Sequence, residues 1–361
     1  MSNKVFNIWV FGDAHVGTDL KRGVESLANA LRDSEQGGTA GGPRFDWDIA
    51  IDVGDMSGGQ SVPEDSEGIE VVRQFGTLRY HPREAIYGVC GNHDRSGLTE
   101  PPARWWRMWI DPMGDSPETS DVDNSKRPFP IEGTWERYHF RVGNLLFLMM
   151  SDINEPTQKI GRGDLGGNPG GVVSGETFQW WKEMIESNSD SIIVSVHHYM
   201  LKNTTVASGD WEGMNKDSDG NWINGYHGYK PEGTPIGASY LYFVDSKPDS
   251  GAFETYLRFN PEAVALWLGG HTHTHPDNTH GNKAKLEQKW GTWFLNAAAL
   301  TRYHVNGDSL PQSSMLTFTE GSPEVTIRCY MHTDEILPQG WYEKAENTFT
   351  LDQSFQQQTQ S

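Results

Sequence analysis

The first hundred residues alternate between two hydrophobic periods, and that alternation leaves few folds open. "VFNIWVF" (5–11) reads as a strand, and Leu20, Val24, Leu27 and Leu31 then repeat at helical spacing. "DIAIDV" (48–53) is a second strand, residues 66–79 fit a helix, and "AIYGV" (85–89) is a third strand. Strand, helix, strand, helix, strand implies parallel strands joined by right-handed crossovers.

Residues 96–134 break the rhythm with prolines, an aromatic cluster "RWWRMW" (104–109) and an acidic stretch, and read as a long surface excursion. "WERYHFRVGNLLFLMM" (135–150) looks like a hairpin turning at Gly143-Asn144. A helix is expected to start near Ser174, with Phe178, Trp181 and Ile185 on one face, before the buried strand "SIIVSV" (191–196). Residues 199–250, rich in Gly, Asp, Asn, Trp and Tyr, form a second excursion, and its aromatic content argues for an ordered loop or cap rather than a linker. Then come a helix (251–259), the strand "AVALWL" (263–268), "TWFLNAAAL" (292–300) and a strand pair at 314–319 and 324–331. The polar tail "QSFQQQTQS" is expected to fray. No internal repeat or linker divides the chain. One domain over 1–335, with 336–361 as a C-terminal extension, is the expectation.

Charge narrows the partners. The chain carries 29 basic and 49 acidic residues, a net charge of −20, and no basic run longer than two. Phosphate backbones and anionic membranes attract Lys and Arg footprints, so binding to nucleic acid or to a membrane surface is disfavoured. A phosphorylated substrate would need local cations, such as bound metals. The two cysteines, Cys90 and Cys329, sit in strand-like runs and read as buried free thiols; a cysteine zinc site or disulfide scaffold is excluded by count. The N-terminal apolar run is short and becomes a strand at once, so no signal peptide is read there. No stretch is long enough to span a membrane, and a cytoplasmic protein is expected.

The chemistry collects where apolar runs stop. After the first strand comes "FGDAH", with Asp13 and His15. After the second comes "VGDMSGG", with Asp55, and after the third "GVCGNHDRSG", with Asn92, His93, Asp94 and Arg95. His197 and His198 follow "SIIVSV", and "LWLGGHTHTHPDN" supplies His271, His273 and His275. Each alone has an ordinary explanation as a polar turn, a packed imidazole or a surface residue. Their conjunction does not, because in open α/β sheets the ligand crevice lies at the carboxyl ends of the strands.

In this order, Asp13-x-His15, Gly54-Asp55, Gly91-Asn92-His93-Asp94, His197 and Gly270-His271-x-His273 resemble the calcineurin-like metallophosphoesterases. The resemblance runs from residue 5 to about 300. It departs at Gly58, where many relatives carry a second acid that is not a metal ligand. It implies an α/β fold, a four-layer αββα sandwich of two mixed β-sheets flanked by helices. The hairpin at 135–150 and the late strands at 292–331 would suit the second sheet.

The same resemblance implies a dinuclear metal centre. Asp55 would bridge two metals; Asp13, His15 and His273 would complete the first, and Asn92, His197 and His271 the second. In relatives with a double histidine the first is the ligand, which selects His197 and leaves His198 lining the site. The donor set is nitrogen and oxygen without thiolate, which suits Mn, Fe or Zn and argues against calcium. A hydroxide bridging the metals would attack phosphorus in line, with His93 helping the leaving group and Asp94 holding the His93 ring. Arg95 is a candidate for a phosphate oxygen, against the alternative of a surface arginine. His275 has no role in the family's core motif and reads as a rim residue.

Rival hydrolases fit less well. A metallo-β-lactamase-type enzyme needs His-x-His-x-Asp-His early in the chain, and here His275 is followed by Pro276 and Asp277, late. An amidohydrolase barrel needs His-x-His after its first strand, where this chain has Asp13-x-His15. A non-catalytic scaffold of the same fold would usually have lost ligands or the catalytic histidine, and this chain keeps them. The expected substrate is a small phosphate ester. The Asn-His-Asp form with a cap resembles the cyclic-nucleotide and glycerophosphodiester branch, so a phosphodiester is favoured over a monoester.

Overall fold

A computed structural model describes residues 4–37, 44–59, 62–95, 101–151, 172–208, 251–279, 282–297, 299–302, 310–333 and 338–357. It also gives the backbone of three short strands between 214 and 244. In chain order the elements begin with β1 (Val5–Phe11), α1 (Val16–Leu20), α2 (Ser26–Gln36), β2 (Ile49–Asp52), α3 (Asp65–Phe75) and β3 (Ile86–Gly88). Next are α4 (Arg104–Trp109), α5 (Pro117–Ser120), β4 (Glu132–Thr134), β5 (Arg137–Val142), β6 (Leu145–Met150), β7 (Val172–Val173), α6 (Gly175–Glu186) and β8 (Ile192–Val196). Then follow β9 (Met214–Lys216), β10 (Trp222–Asn224), β11 (Phe243–Val244), α7 (Gly251–Phe259), β12 (Leu266–Gly269), β13 (Leu286–Lys289) and β14 (Thr292–Asn296). The chain finishes with β15 (Gln312–Thr319), β16 (Glu324–Met331), β17 (Gly340–Trp341) and β18 (Asn347–Thr350).

Two mixed sheets result. The first runs β17-β16-β15-β1-β2-β3, with β18 also on β16, and the second runs β13-β14-β12-β8-β6-β5-β4. β1, β2 and β3 are mutually parallel, as the opening alternation implied. In the second sheet β6, β8, β12 and β14 are parallel. Period-two patterning sorts the side chains into layers. Ile8, Val10 and Ile51 from the first sheet meet Phe147, Val194 and Leu268 from the second in a core between the sheets. The outer face of the first sheet packs on α2, α3 and α4, and that of the second on α6 and α7. This is the expected helix–sheet–sheet–helix sandwich. The run "LLFLMM" is apolar throughout because β6 is covered on both faces: Leu145, Phe147 and Met149 face the opposing sheet, while Leu146, Leu148 and Met150 face the helices.

Four expectations need correction. The late strands do not all join the second sheet: β14 does, but β15 pairs antiparallel with β1, Trp9 opposite Met315. The crossovers extend the first sheet only on the β2 side, so the other edge of β1 would be bare without β15. The helical spacing from Leu20 to Leu31 is broken into α1 and α2, with Gly23 between them at a left-handed φ of 73°. The "RWWRMW" stretch is a helix rather than a surface excursion. Trp105 and Trp106 are buried beside α3, and a Cβ at Gly68 would strike the Trp109 ring. The tail does not fray at its start, because Phe355 enters the core between the sheets and the Gln356 backbone pairs with Asn144. Most of the excursion at 199–250 lies outside the described residues. Both cysteines are free and buried. Among the described residues no helix is long and apolar enough to cross a membrane.

Candidate metal centre

The carboxyl ends of β1, β2, β3, β8 and β12 converge, and each releases polar side chains into one buried cluster. The backbone there is forced into uncommon shapes. Asp13, His15, Asp55 and His271 all have left-handed φ, at 51°, 43°, 59° and 67°. Such conformations cost of order 1–3 kcal/mol each outside glycine and concentrate at functional sites. Two glycines allow the close approach: a Cβ on Gly270 would fall on the Asp13 carboxylate, and one on Gly91 would fall on that of Asp55.

The donor atoms form two groups, Asp13-His15-His273 and Asp55-His198-His271, linked by a third, His15-Asp55-His93. In one, His273 Nε2 lies 2.9 Å from Asp13 Oδ1 and 3.1 Å from His15 Nε2, and His15 Nε2 lies 3.9 Å from Asp13 Oδ1. In the other, His198 Nε2 lies 3.0 Å from Asn92 Oδ1, 3.2 Å from His271 Nδ1 and 3.2 Å from Asp55 Oδ2. Asp55 Oδ2 is also 3.8 Å from His15 Nε2, so one carboxylate oxygen faces both groups. Its other oxygen accepts the His93 backbone N–H at 2.8 Å. Ligands bound about 2.0–2.2 Å from a transition metal lie roughly 3–4 Å from one another. The observed spacings fit such ions. Buried imidazole, amide and carboxylate groups with no thiolate also suit borderline divalent metals.

Electrostatics binds the second group together. Burial disfavours a charged His198, but the adjacent Asp55 carboxylate outweighs it and raises the imidazole to about 10. Burial likewise opposes ionisation of Asp55, and His198 and His93 outweigh it and hold the carboxyl low. A metal between them would take over the proton's role, since ligation needs neutral imidazole.

His197 is not in this cluster. It is fully buried, stacks on Trp267 with centroids 3.6 Å apart, and its Nε2 meets Ser195 Oγ at 2.7 Å. The choice of the first histidine as ligand is therefore corrected, and strand parity is the reason. Val194 and Val196 on β8 face the opposing sheet, whereas Ile193 faces the helices. Continuing that alternation sends His197 to the helix side and His198 to the site.

Asp94 is corrected as well. It does not hold the His93 ring. Its fully buried carboxylate accepts the backbone N–H groups of Asp55 (2.9 Å), Ser57 (2.8 Å) and Gly91 (2.9 Å), tying the loop after β2 to the loop after β3. Burial, with the Asp55 charge beside it, raises this carboxyl to about 7. The His93 ring is held instead by Nδ1, which donates to the Gly59 carbonyl at 2.6 Å. Arg95 does not join the cluster. It is 5% exposed, its Nη1 is buried without a hydrogen-bond partner among the described residues, and Cys90 and Glu136 are its electrostatic neighbours. His275 Nδ1 accepts the Asp277 N–H within its own turn and belongs to neither donor group.

The sequence reading missed Glu67. From α3 its carboxylate accepts the N–H groups of Gly17 (2.6 Å) and Gly58 (2.5 Å) and the Ser57 hydroxyl (3.0 Å). It therefore braces the loop that carries Gly59, the residue holding His93. The signal was present: Glu67 shares a helix face with buried Val71, Gln74 and Phe75.

A model of the calcineurin-like phosphoesterases matches residues 6–275. Among solved structures the chain is similar to vacuolar protein sorting 29 from Cryptosporidium parvum, at 12% identity and a TM-score of 0.38, covering 96% of this chain and 98% of that one. It is similar to wild-type Vps29 complexed with Zn2+ from Entamoeba histolytica, at 13% identity and a TM-score of 0.33, covering 96% and 99%. Vps29 from Chaetomium thermophilum matches at 10% identity and a TM-score of 0.29, covering 99% and 100%. No curated protein sequence matches the chain.

Proposed function

The chain belongs to the calcineurin-like phosphoesterases, and from that premise we propose that it is a metal-dependent hydrolase of small phosphodiesters. The observation that carries this reading is the pair of donor groups sharing the Asp55 carboxylate. Asp13, His15 and His273 would hold one metal, Asn92, His198 and His271 a second, with Asp55 between them. When bound, such a pair supplies Lewis acidity to phosphate oxygens and lowers the pKa of a water. Mn, Fe and Zn suit these ligands. Residues 1–335 are read as the phosphoesterase domain, with 336–361 as an extension.

His93 is assigned the leaving-group proton. A carbonyl only accepts, so its bond to Gly59 fixes the proton on Nδ1, and Nε2 is the ring nitrogen assigned to exchange a proton with substrate. Asp94 and Glu67 keep the loop from Asp55 to Gly59 in place, so that His93 and Asp55 hold their relative position. The preference for a diester is supported by Arg95. It is the arginine nearest in sequence to His93, and among the described residues its guanidinium bonds to none of the donor groups; its electrostatic neighbours are Cys90 and Glu136. A diester carries one negative charge at phosphorus, whereas a monoester dianion asks for a further cation.

The test is metal analysis followed by kcat/KM for bis-p-nitrophenyl phosphate against p-nitrophenyl phosphate at fixed Mn2+. Two metal equivalents and a higher value for the diester are expected. A strong preference for the monoester would reverse the substrate assignment. Absence of turnover with metals bound would remove the catalytic reading altogether.

A further inference from the structure

A cavity lined by none of the donor residues has Pro276, shortly after His271 and His273 in the chain, in its wall. It has a volume of about 140 Å³, room for roughly five waters at about 30 Å³ each. Leu286, Leu295 and Ile327 give it apolar walls, and the exposed Lys344, Glu346 and Asn347 form its mouth. Lys285, only 8% exposed, lines it.

Lys285 is a buried amine held in place without a counter-charge. Its Nζ donates to Gln312 Oε1 at 2.5 Å and lies 4.0 Å from the Cys329 thiol. No carboxylate bonds to it among the described residues, and burial depresses its pKa. Gln312 is itself anchored, donating from Nε2 to the Thr274 carbonyl at 2.7 Å, so the amine of this cavity-lining lysine is held in a fixed position. A buried charge is costly until paired, and Lys285 has donor capacity left after one strong hydrogen bond. An anion entering the cavity supplies the missing partner.

The geometry points to a binding site for a short-chain monocarboxylate, its carboxylate on Lys285 Nζ and its alkyl body against Leu286, Leu295 and Ile327. One ammonium matches one negative charge. The apolar walls favour a short hydrocarbon over a second charged group, and the volume suits about six heavy atoms. The site is independent of ester hydrolysis.

Butyrate is the probe and butyramide its neutral counterpart, titrated calorimetrically into the metal-loaded wild type, Lys285→Met and Ala345→Trp. The last variant plugs the cavity mouth and leaves Lys285 in place. Saturable butyrate binding is expected in the wild type, at least tenfold weaker in both variants, with at least tenfold weaker binding of butyramide. No saturable binding in the wild type overturns the proposal. So does unchanged affinity in Lys285→Met, which would place butyrate on the metals. Should Lys285→Met fail to fold, unchanged affinity in Ala345→Trp overturns it equally.

Discussion

Exchanging the roles of two adjacent histidines is the sharpest consequence of the structure, and His197→Ala and His198→Ala test it side by side. His198 Nε2 lies within 3.2 Å of Asn92, Asp55 and His271 donor atoms. Removing it takes one ligand from one metal. Loss of even a supporting partner outside the ligand set typically costs 10–100-fold in affinity, so loss of a ligand is expected to cost at least ~100-fold, about 2.8 kcal/mol. The protein should purify with close to one metal equivalent and little turnover. His197 belongs to none of the donor groups among the described residues. Truncating a fully buried ring that stacks on Trp267 at 3.6 Å leaves a cavity, and the cost is about 2–4 kcal/mol of stability. For a chain of 361 residues that corresponds to a fall in Tm of about 3–5 °C, with both metals retained. Elemental analysis, a melting curve and a diesterase assay on each variant decide it. Two metals in His198→Ala together with one in His197→Ala would refute the parity argument.

His93→Ala is expected to keep both metals and lose about 10²–10⁴-fold in kcat; undiminished kcat with full metal content would sink its role. Asp94→Ala orphans three buried backbone N–H groups, each worth about 1–3 kcal/mol, so a stability loss of at least ~3 kcal/mol is expected in urea unfolding. A loss below about 1 kcal/mol contradicts that accounting. Glu67→Gln replaces one acceptor oxygen with a donor facing Gly17, Gly58 or Ser57, and should lower kcat about tenfold without loss of metal; unchanged kcat would detach Glu67 from His93. Burial alone would raise the Glu35 carboxyl, but the N–H groups of Arg79, Tyr80 and His81 with the His81 ring outweigh it and hold it below its ordinary value of 4.5. Its contribution is therefore fully present above that value and lost as pH falls below it. Urea midpoints from pH 7 to pH 3 should decline less steeply in Glu35→Gln, and identical slopes would contradict this.

Much of this molecule is legible in its sequence. The alternation from residue 5 to 89 specified parallel strands, because apolar periods of two and 3.6 cannot be exchanged. The polar groups at five strand ends marked where a site would assemble, since parallel strands place all their carboxyl ends on one edge. Questions of facing and of partnership were left to the assembled fold. His197 and His198 are chemically identical, and only the position of the first sheet, opposite β8, says which parity of β8 looks inward. β15 and β16 carry the same apolar alternation whichever sheet they join, and the open edge of β1 settled the matter. Asp94 follows His93 in sequence, yet three backbone N–H groups from separate loops claim its carboxylate. Glu67, from a helix outside the motifs, braces the residues that hold His93. Local pattern records which residues can be buried and where strands end. Which atom then meets which depends on contacts between segments tens to hundreds of residues apart, and those exist only once the two sheets have closed on each other.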